Sequence, residues 1–236
     1  MKVIAINSSP KMDRSKTALI LNPFINGMKE AGANVELFYI KKLDINSCQG
    51  EFSCYFKSPG KCFLKDDMEL LLPKFEKSDI WVFASPVYCD GVNGQMKILM
   101  DRMIPLLKAE YILQNDHCRH PLWNERGNGN GKKIVLVSNC GYWEMDNFDP
   151  LLTQIKAFCK NFNREFAGAL LRPHGPAMKN IPDIINASKK AGYQLIHQGK
   201  ISSKLLKTIS REIISRDKFI EGSNKRIQKV LDKIKK

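Results

Sequence analysis

The sequence lacks any apolar run of the roughly 18–20 residues that a helix needs to cross a bilayer. Its first residues, MKVIAINSSP, have too short an uncharged run for the core of a signal peptide and are typical of a buried strand. The seven cysteines are an odd number and lack the dense, paired spacing of a secreted disulfide framework. We therefore expect a cytoplasmic protein with reduced thiols and no membrane partner.

Histidine is also scarce, and the common nucleotide-binding motifs are missing from the first turn. The four histidines, His117, His120, His174 and His197, have no partners at metal-ligand spacing, so we expect them to be structural or exposed. The turn after the first apolar run is neither G-x-G-x-x-G nor G-x-x-x-x-G-K-[ST]. The chain shows no internal repeat and no linker rich in glycine or serine.

Acidic residues are outnumbered, since 24 Asp and Glu stand against 38 Lys and Arg and give a net charge of +14. Such an excess raises the hypothesis of a nucleic-acid partner. Much of it, however, lies in the last 40 residues at helical spacing, as in KLLKTISREIISRDKF. A solvated helical face therefore explains the charge better than a nucleic-acid surface.

Short apolar runs alternate with longer helical patterns along the chain. The runs predict five strands, at 2–7, 35–40, 80–85, 133–138 and 166–171. Helical patterns lie near 16–31, 66–78, 93–108 and 148–163 and continue from 181 to the end. This alternation favours an α/β fold with a doubly wound parallel sheet whose strands are buried on both faces. We place the domain at 1–200 and a helical extension at 201–236, with an insertion at about 109–131 whose polar tip we expect to be mobile.

The first apolar run leads into NSSPKMDRSKTALIL, a turn rich in hydroxyl groups before a helix. The segment supplies side chains that can bind a phosphate: Ser9, Lys11, Arg14, Ser15, Lys16 and Thr17. The start of the helix adds free backbone N–H groups and a dipole that favours an anion. The alternative is an ordinary N-cap by Ser15 with solvated lysines.

The third apolar run ends in SPVYCDGVNGQMKILMDR, which predicts a rigid loop at the carboxyl edge of the sheet. Ligands of open α/β folds bind at that edge. The backbone can approach a flat ligand closely at Gly91 and Gly94, and Tyr88 offers a surface for stacking or hydrogen bonding. The alternative is a turn that only ends the strand.

Three cysteines lie close together in SCQGEFSCYFKSPGKC, residues 47–62. With a cysteine in place of Glu51, the run would read C-x2-C-x2-C-x7-C, a spacing like that of iron–sulfur ligands.

Together, SSPKMDRSKT, the cysteine run with PGKCFLKDDM, and SPVYCDGVNGQMK make residues 1–110 resemble the flavodoxin-like NAD(P)H-dependent FMN reductases, and especially the branch related to the iron–sulfur flavoproteins. The resemblance implies a five-stranded flavodoxin-like domain that binds FMN. It implies that the phosphate is held by Ser9, Lys11, Ser15, Lys16 and Thr17. It also implies that the ring contacts two loops, made of Pro86, Val87, Tyr88, Cys89, Asp90 and Gly91, and of Asn139, Cys140, Gly141 and Tyr142. Lys16 departs from the family, which commonly has Asn there, and Trp143 either shields the ring or is structural.

In the relatives that bind a cluster, four cysteines hold a [4Fe–4S] centre. Here Glu51 offers a hard oxygen ligand where a thiolate is required, so we expect no metal. Cys48, Cys54 and Cys62 are instead expected to pack a loop together with Phe52, Tyr55 and Phe56. A cluster with unusual ligation, a zinc ion and a redox disulfide remain as alternatives.

The resemblance implies an FMN-dependent oxidoreductase that takes electrons from NAD(P)H or a protein donor and passes them to an unidentified acceptor. The first alternative is an FMN-containing electron carrier of the iron–sulfur flavoprotein type, and the second is a basic nucleic-acid-binding protein on the same scaffold. We also expect a homo-dimer or tetramer, because family flavin sites lie near subunit contacts and the tail carries an apolar stripe: Leu205, Ile209, Ile213 and Ile220.

Overall fold

The computed structural model describes residues 1–114, 116–123 and 131–234. Its strands are β1 (Lys2–Asn7), β2 (Asn34–Tyr39), β3 (Ile80–Tyr88), β4 (Gly91–Val92), β5 (Ile112–Gln114), β6 (His117–Arg119), β7 (Lys133–Asn139) and β8 (Glu165–Arg172). Five of them form a parallel sheet in the order β2-β1-β3-β7-β8. This confirms the predicted α/β flavodoxin-like fold, because the order is the doubly wound one in which the chain reverses direction beside β1.

Helices cover both faces of the sheet. They are α1 (Lys16–Glu30), α2 (Ser53–Phe56), α3 (Met68–Lys77), α4 (Gly94–Asp101), α5 (Asp149–Asn161), α6 (Pro182–Gln198), α7 (Ser203–Ser210) and α8 (Arg216–Ile234). Apolar side chains of α3, α4 and α5 form one core with Trp81 and Phe83, while α1, α6 and α7 contribute to the other. A parallel sheet requires such cover on both faces.

Helices α1 and α6 approach each other closely at two glycines. A Cβ atom added to Gly27 would lie 1.8 Å from the carbonyl oxygen of Lys189, and one added to Gly192 would lie 2.0 Å from that of Phe24. Neither position can accept a larger residue without separating the helices. The contact holds α1 and α6 together on one face of the sheet. The N-terminus of α1 lies at the carboxyl edge because the helix follows β1 directly.

Two sequence predictions about the fold need correction. The helix expected over 93–108 ends at Asp101 and is followed by a 3-10 turn, Ile104–Leu106. Strand β2 is not buried on both faces, because it lies at the edge of the sheet and most of its residues are partly exposed. The insertion contains a short antiparallel hairpin of β5 and β6. Its polar tip, at 124–130, lies outside the described residues.

The last helices differ in how they are covered. Ile209 of α7 is fully buried, and Leu205 and Ile213 pack against the same core, so most of the predicted stripe is covered within the chain. Helix α8 has no buried residue, and Ile220 is 50% exposed. None of the helices in the described part of the chain is long and apolar enough to cross a membrane.

Candidate functional site

The loops after β1, β3 and β7 meet at the carboxyl edge of the sheet, because these three strands are neighbours. The Ser8 amide donates to the Ala84 carbonyl oxygen at 2.9 Å, and Ser138 Oγ donates to the Ser85 carbonyl oxygen at 2.7 Å. Asn93 Nδ2 donates to the Ser8 carbonyl oxygen at 2.7 Å. The structure therefore joins the predicted phosphate loop to the loop after β3, and it joins β3 to β7, which leads into the second predicted ring loop.

The turn after β1 presents its hydroxyl groups at the start of α1. Ser15 is the N-cap, and its side chain accepts a hydrogen bond from the Ala18 amide at 3.0 Å. This confirms the capping role, and it leaves the amides of Lys16 and Thr17 without intrahelical partners, as the first turn of a helix requires. Ser9 is buried as well, whereas Lys11 is exposed.

Two predicted phosphate ligands also make contacts that the sequence did not suggest. Thr17 is 1% exposed and donates its hydroxyl hydrogen bond to Asn139 Oδ1 at 2.5 Å. Lys16 Nζ donates to the Met178 carbonyl oxygen at 3.1 Å. Thr17 thus ties the start of α1 to the end of β7, and Lys16 ties it to the turn after β8.

The loop after β3 is a tight hairpin. Tyr88 pairs with Gly91, and the two residues between them, Cys89 and Asp90, have positive φ angles of 46° and 63°. Positive φ at both central positions is the geometry of a type I′ turn. The Tyr88 side chain is 53% exposed at this turn, which leaves its ring available to a ligand.

Asn93 holds this hairpin in place and was not among the predicted site residues. It is 1% exposed, and its Oδ1 accepts a hydrogen bond from the Met96 amide at 3.3 Å as the N-cap of α4. Its backbone N–H donates to Ser85 Oγ at 3.1 Å. The signal was present in the sequence, because asparagine directly before a helical pattern is a common N-cap.

The loop after β7 divides into a buried and an exposed half. Cys140 is 2% exposed, burial raises the pKa of its thiol, and its sulfur accepts from the Tyr142 amide at 3.3 Å. Gly141 and Tyr142 face solvent, with Tyr142 66% exposed. Trp143 donates its indole N–H to the Ile214 carbonyl oxygen at 2.9 Å, so its polar end turns towards the C-terminal extension.

The donors at this edge fit a ligand that carries a phosphate group and a flat ring. Buried hydroxyls and free amides converge at the start of α1, and two exposed tyrosines flank the strand ends beside it. Asn7, which is fully buried at the end of β1, has a side-chain nitrogen that finds no hydrogen-bond partner among the described residues. An unsatisfied buried donor at a ligand-binding edge is consistent with a missing acceptor.

The cysteine run forms a separate cavity of about 40 Å³ between α2 and the end of α4. Cys48, Cys54, Cys62, Glu51 and Arg102 all line it. Cys54 is buried, and its thiol pKa is raised by burial first and then by the nearby Cys62, Glu51 and Cys48. The fold therefore gathers the three thiols around one space.

The residues around this cavity do not fit an iron–sulfur cluster. Glu51 Oε2 accepts a hydrogen bond from the Ser53 amide at 2.8 Å, which uses the carboxylate at the start of α2. Across the described residues, no group of three or more His, Cys, Asp or Glu side chains is arranged to hold a metal ion. Carboxylate is also a poor substitute for a thiolate on iron in such clusters.

The expected burial of two aromatic residues in this loop is wrong. Phe52 is 46% exposed and Phe56 is 76% exposed, whereas Tyr55 packs against the core. The short helix α2 points only one side inward, and Ser53 and Cys54 occupy that side. The hydrophobic contribution that enclosure of the two rings would have given is therefore absent from the monomer.

A buried ion pair anchors the loop to the domain. Arg102 Nη1 lies 2.6 Å from Asp66 Oδ2, and the side chains are 1% and 0% exposed. Although burial acts to raise the Asp66 pKa, hydrogen bonds from Arg102 and from the amides of Asn46 and Met68 lower it to about 2. Arg102 also donates to the Asn46 carbonyl oxygen at 2.6 Å. Sequence reasoning missed this pair because its partners are 36 residues apart.

Comparison with known proteins points to one family. The sequence profile of the NADPH-dependent FMN reductases matches residues 1–137. An iron-sulfur flavoprotein of Methanocaldococcus jannaschii is 38% identical over 106 residues, which are 45% of this chain and 53% of that protein. One from Archaeoglobus fulgidus is 36% identical over 116 residues, covering 47% and 51% of the two chains. The matched region thus spans about half the length of these curated relatives.

Solved structures with the same fold extend over more of the chain. An NAD(P)H:quinone oxidoreductase from Methanothermobacter marburgensis superposes with a TM-score of 0.61 at 15% identity, over 84% of this chain and 98% of that one. An FMN-dependent NADH-azoreductase from Bacillus anthracis, solved with FMN, gives 0.59 at 14% identity, over 84% and 96%. At these identities the likeness establishes the fold.

Proposed function

Because this chain belongs to the NADPH-dependent FMN reductase family, a family of flavoprotein oxidoreductases with FMN as cofactor, we propose that it binds FMN at the edge formed by the loops after β1, β3 and β7. In this proposal NAD(P)H or a protein donor supplies the electrons, and an acceptor still to be identified receives them. The observation that carries the proposal is the direct hydrogen bonding among the three loops. These hydrogen bonds support treating the three loops as one site.

The FMN phosphate would be held at the start of α1. The hydroxyls of Ser9 and Ser15 and the amides of the first helical turn are the donors, and the dipole of α1 favours the phosphate charge. Thr17 contributes its backbone amide, because its hydroxyl donates to Asn139 Oδ1. Lys11 is exposed and free to approach the phosphate. Lys16 retains two further N–H donors besides the one given to Met178, because an ammonium group carries three.

The flavin ring would contact the two loops beside the phosphate site. These loops offer Pro86, Val87, Tyr88, Cys89, Asp90 and Gly91 on one side, and Asn139, Cys140, Gly141 and Tyr142 on the other. Tyr88 and Tyr142 are exposed enough to lie against a flat ring, whereas the buried Cys140 would act only through its backbone. When bound, FMN supplies the hydride and electron transfer itself. The chain's task is to hold and orient the ring and to limit its contact with water.

The electron-carrier alternative is favoured by a different observation, namely that the curated relatives are named iron-sulfur flavoproteins. A carrier would hold FMN without reacting with a nicotinamide. Steady-state oxidation of NADPH and NADH by the FMN-loaded protein separates the two functions. Turnover with either nucleotide supports the reductase, and reduction of the flavin only by a protein donor supports the carrier.

The FMN site is tested by replacing Ser15 and Thr17 together with alanine. The change removes the free hydroxyl donor of Ser15, worth about 1.5–3 kcal/mol against a charged phosphate, and the Thr17 bond that ties the start of α1 to Asn139. The Kd for FMN should therefore rise at least tenfold in a fluorescence titration. The matched control is Thr153→Ala with Thr208→Ala, which removes two exposed hydroxyls on α5 and α7 that bond only to their own helices. Equal FMN affinity in the two double variants would refute the phosphate assignment.

A further inference from the structure

The turn after β8 holds the loop after β7 from behind. The Cys140 amide donates to the Arg172 carbonyl oxygen at 3.1 Å. In the opposite direction, the His174 amide donates to the Tyr142 carbonyl oxygen at 2.8 Å, and the Gly175 amide donates to the Cys140 carbonyl oxygen at 2.9 Å. The backbone of His174 is left-handed, with φ at 54°. A Cβ on Gly175 would lie 2.9 Å from the Cys140 carbonyl oxygen, so this close approach requires glycine.

Arg172 connects this turn to the C-terminal extension. Its side chain is fully buried, and Nη1 donates to the Ile209 carbonyl oxygen in α7 at 2.6 Å. Nε donates to the Pro173 carbonyl oxygen at 2.8 Å, and Nη2 lies 2.7 Å from His174 Nδ1. Arg172 therefore links α7 to the imidazole ring of His174 through charge-assisted hydrogen bonds.

The contact with Arg172 fixes the proton on His174. A guanidinium nitrogen can only donate, so Nδ1 must accept and the single ring proton must lie on Nε2. Burial and then the Arg172 charge lower the His174 pKa to about 4. The neutral imidazole thus accepts from Arg172, and its ring packs against the Trp143 ring of the β7 loop.

The extension reaches the same loop a second time through Trp143. The indole N–H donates to the Ile214 carbonyl oxygen, and the Trp143 ring lies 5.4 Å from the His174 ring, centroid to centroid. Phe219 of α8 lies 6.1 Å from the His174 ring on the same measure. Ile214 and Phe219 both belong to the C-terminal extension, which begins at residue 201.

We propose that His174 is a positioning residue for the flavin. Together with Arg172 it transmits the position of the C-terminal extension to the loop Cys140–Trp143, and it thereby sets how that loop lies against the flavin ring. His174 is fully covered and would not touch the ring itself, since it is 1% exposed behind the loop. The positioning role rests on the proposed FMN site, whereas the coupling between the extension and the loop does not rest on that site.

Three variants test the proposal. His174→Asn keeps a residue that tolerates a left-handed backbone and can accept from Arg172, but it removes the ring that packs against Trp143. His174→Gln can also accept from Arg172, and its longer side chain keeps part of the packing against Trp143, so it is the conservative variant. Trp143→Phe removes the indole N–H that bonds to Ile214 and keeps an aromatic ring at this position. Because Trp143 is partly exposed, this variant keeps the test available if a His174 variant does not fold. The control is Arg211→Ala, which removes an exposed ion pair between the extension and Asp183 of α6.

Two measurements keep this proposal separate from the FMN assignment. In the FMN-free protein, amide hydrogen exchange at 141–143 should be at least tenfold faster in His174→Asn and Trp143→Phe, with partial recovery in His174→Gln and no change in Arg211→Ala. In the FMN-loaded protein, the same two variants should shift the flavin midpoint potential and visible spectrum, whereas Arg211→Ala should not.

Each outcome decides a different claim. If His174→Asn and Trp143→Phe both showed wild-type exchange rates at 141–143, the coupling between the extension and the loop would be overturned. Faster exchange with an unchanged flavin potential and spectrum would overturn the positioning role. A wild-type protein that binds no FMN would refute the proposed function, while the exchange measurement would still decide the coupling.

Discussion

Replacing Asp66 with asparagine should destabilise the protein far more than a surface substitution does. Both carboxylate oxygens are in use, because Oδ2 accepts from Arg102 at 2.6 Å and from the Asn46 amide at 3.0 Å, while Oδ1 accepts from Arg102 and from the Met68 amide. Asparagine keeps the shape and loses the charge. The buried guanidinium is then left without its counter-ion, which typically costs about 3–5 kcal/mol.

The pH dependence of stability provides an independent check on the same carboxylate. Its folded pKa of about 2 lies below the ordinary 3.8, so the unfolded chain binds the proton more tightly. The stabilisation is therefore complete above about pH 4 and is lost as the pH falls towards 2. The difference in pKa corresponds to about 2 kcal/mol. This part of the acid sensitivity should be missing from Asp66→Asn.

The assay is urea unfolding monitored by circular dichroism. The midpoint urea concentration of each variant is compared with that of the wild type, provided that the m-value, the dependence of the unfolding free energy on urea, is unchanged. The matched control is Asp101→Asn, which breaks an ion pair with Lys97 on α4 whose side chains are 52% and 45% exposed. Exposed pairs of this kind contribute about 0–1 kcal/mol. If Asp66→Asn lost no more stability than Asp101→Asn, the ion pair would not anchor the cysteine loop as we infer.

Two further predictions concern metal and assembly. After anaerobic reconstitution with iron and sulfide, the wild type should retain negligible iron. Glu51→Cys should bind some iron, because the variant supplies a fourth thiolate beside Cys48, Cys54 and Cys62. Near four irons per wild-type chain would show that Glu51 can replace a thiolate. By light scattering at micromolar concentration the protein should be a dimer or tetramer, since α8 leaves five aliphatic side chains 46–75% exposed; a monomer would contradict this.

Much of the fold could be predicted from local patterns. The five apolar runs became the five parallel strands, within a few residues of their predicted ends. The signal is clearest for β1, β3 and β7, because a strand inside a parallel sheet is covered on both faces and is apolar along its length. The polar turn after the first run also lies where expected, with Ser15 as the cap of α1. These features depend on neighbours in the sequence, so the sequence alone determined them.

The tertiary structure decided which of those residues meet and what they do. Thr17 bonds to Asn139 across 122 positions, and Arg172 bonds to Ile209 across 37. The same packing turned Phe52 outward, although its apolar character suggested burial. Contacts of this kind depend on the order of the strands and on which helix covers which face. No local pattern carries that information, because a hydrogen bond or a buried ring is specified only once both partners have a position in space.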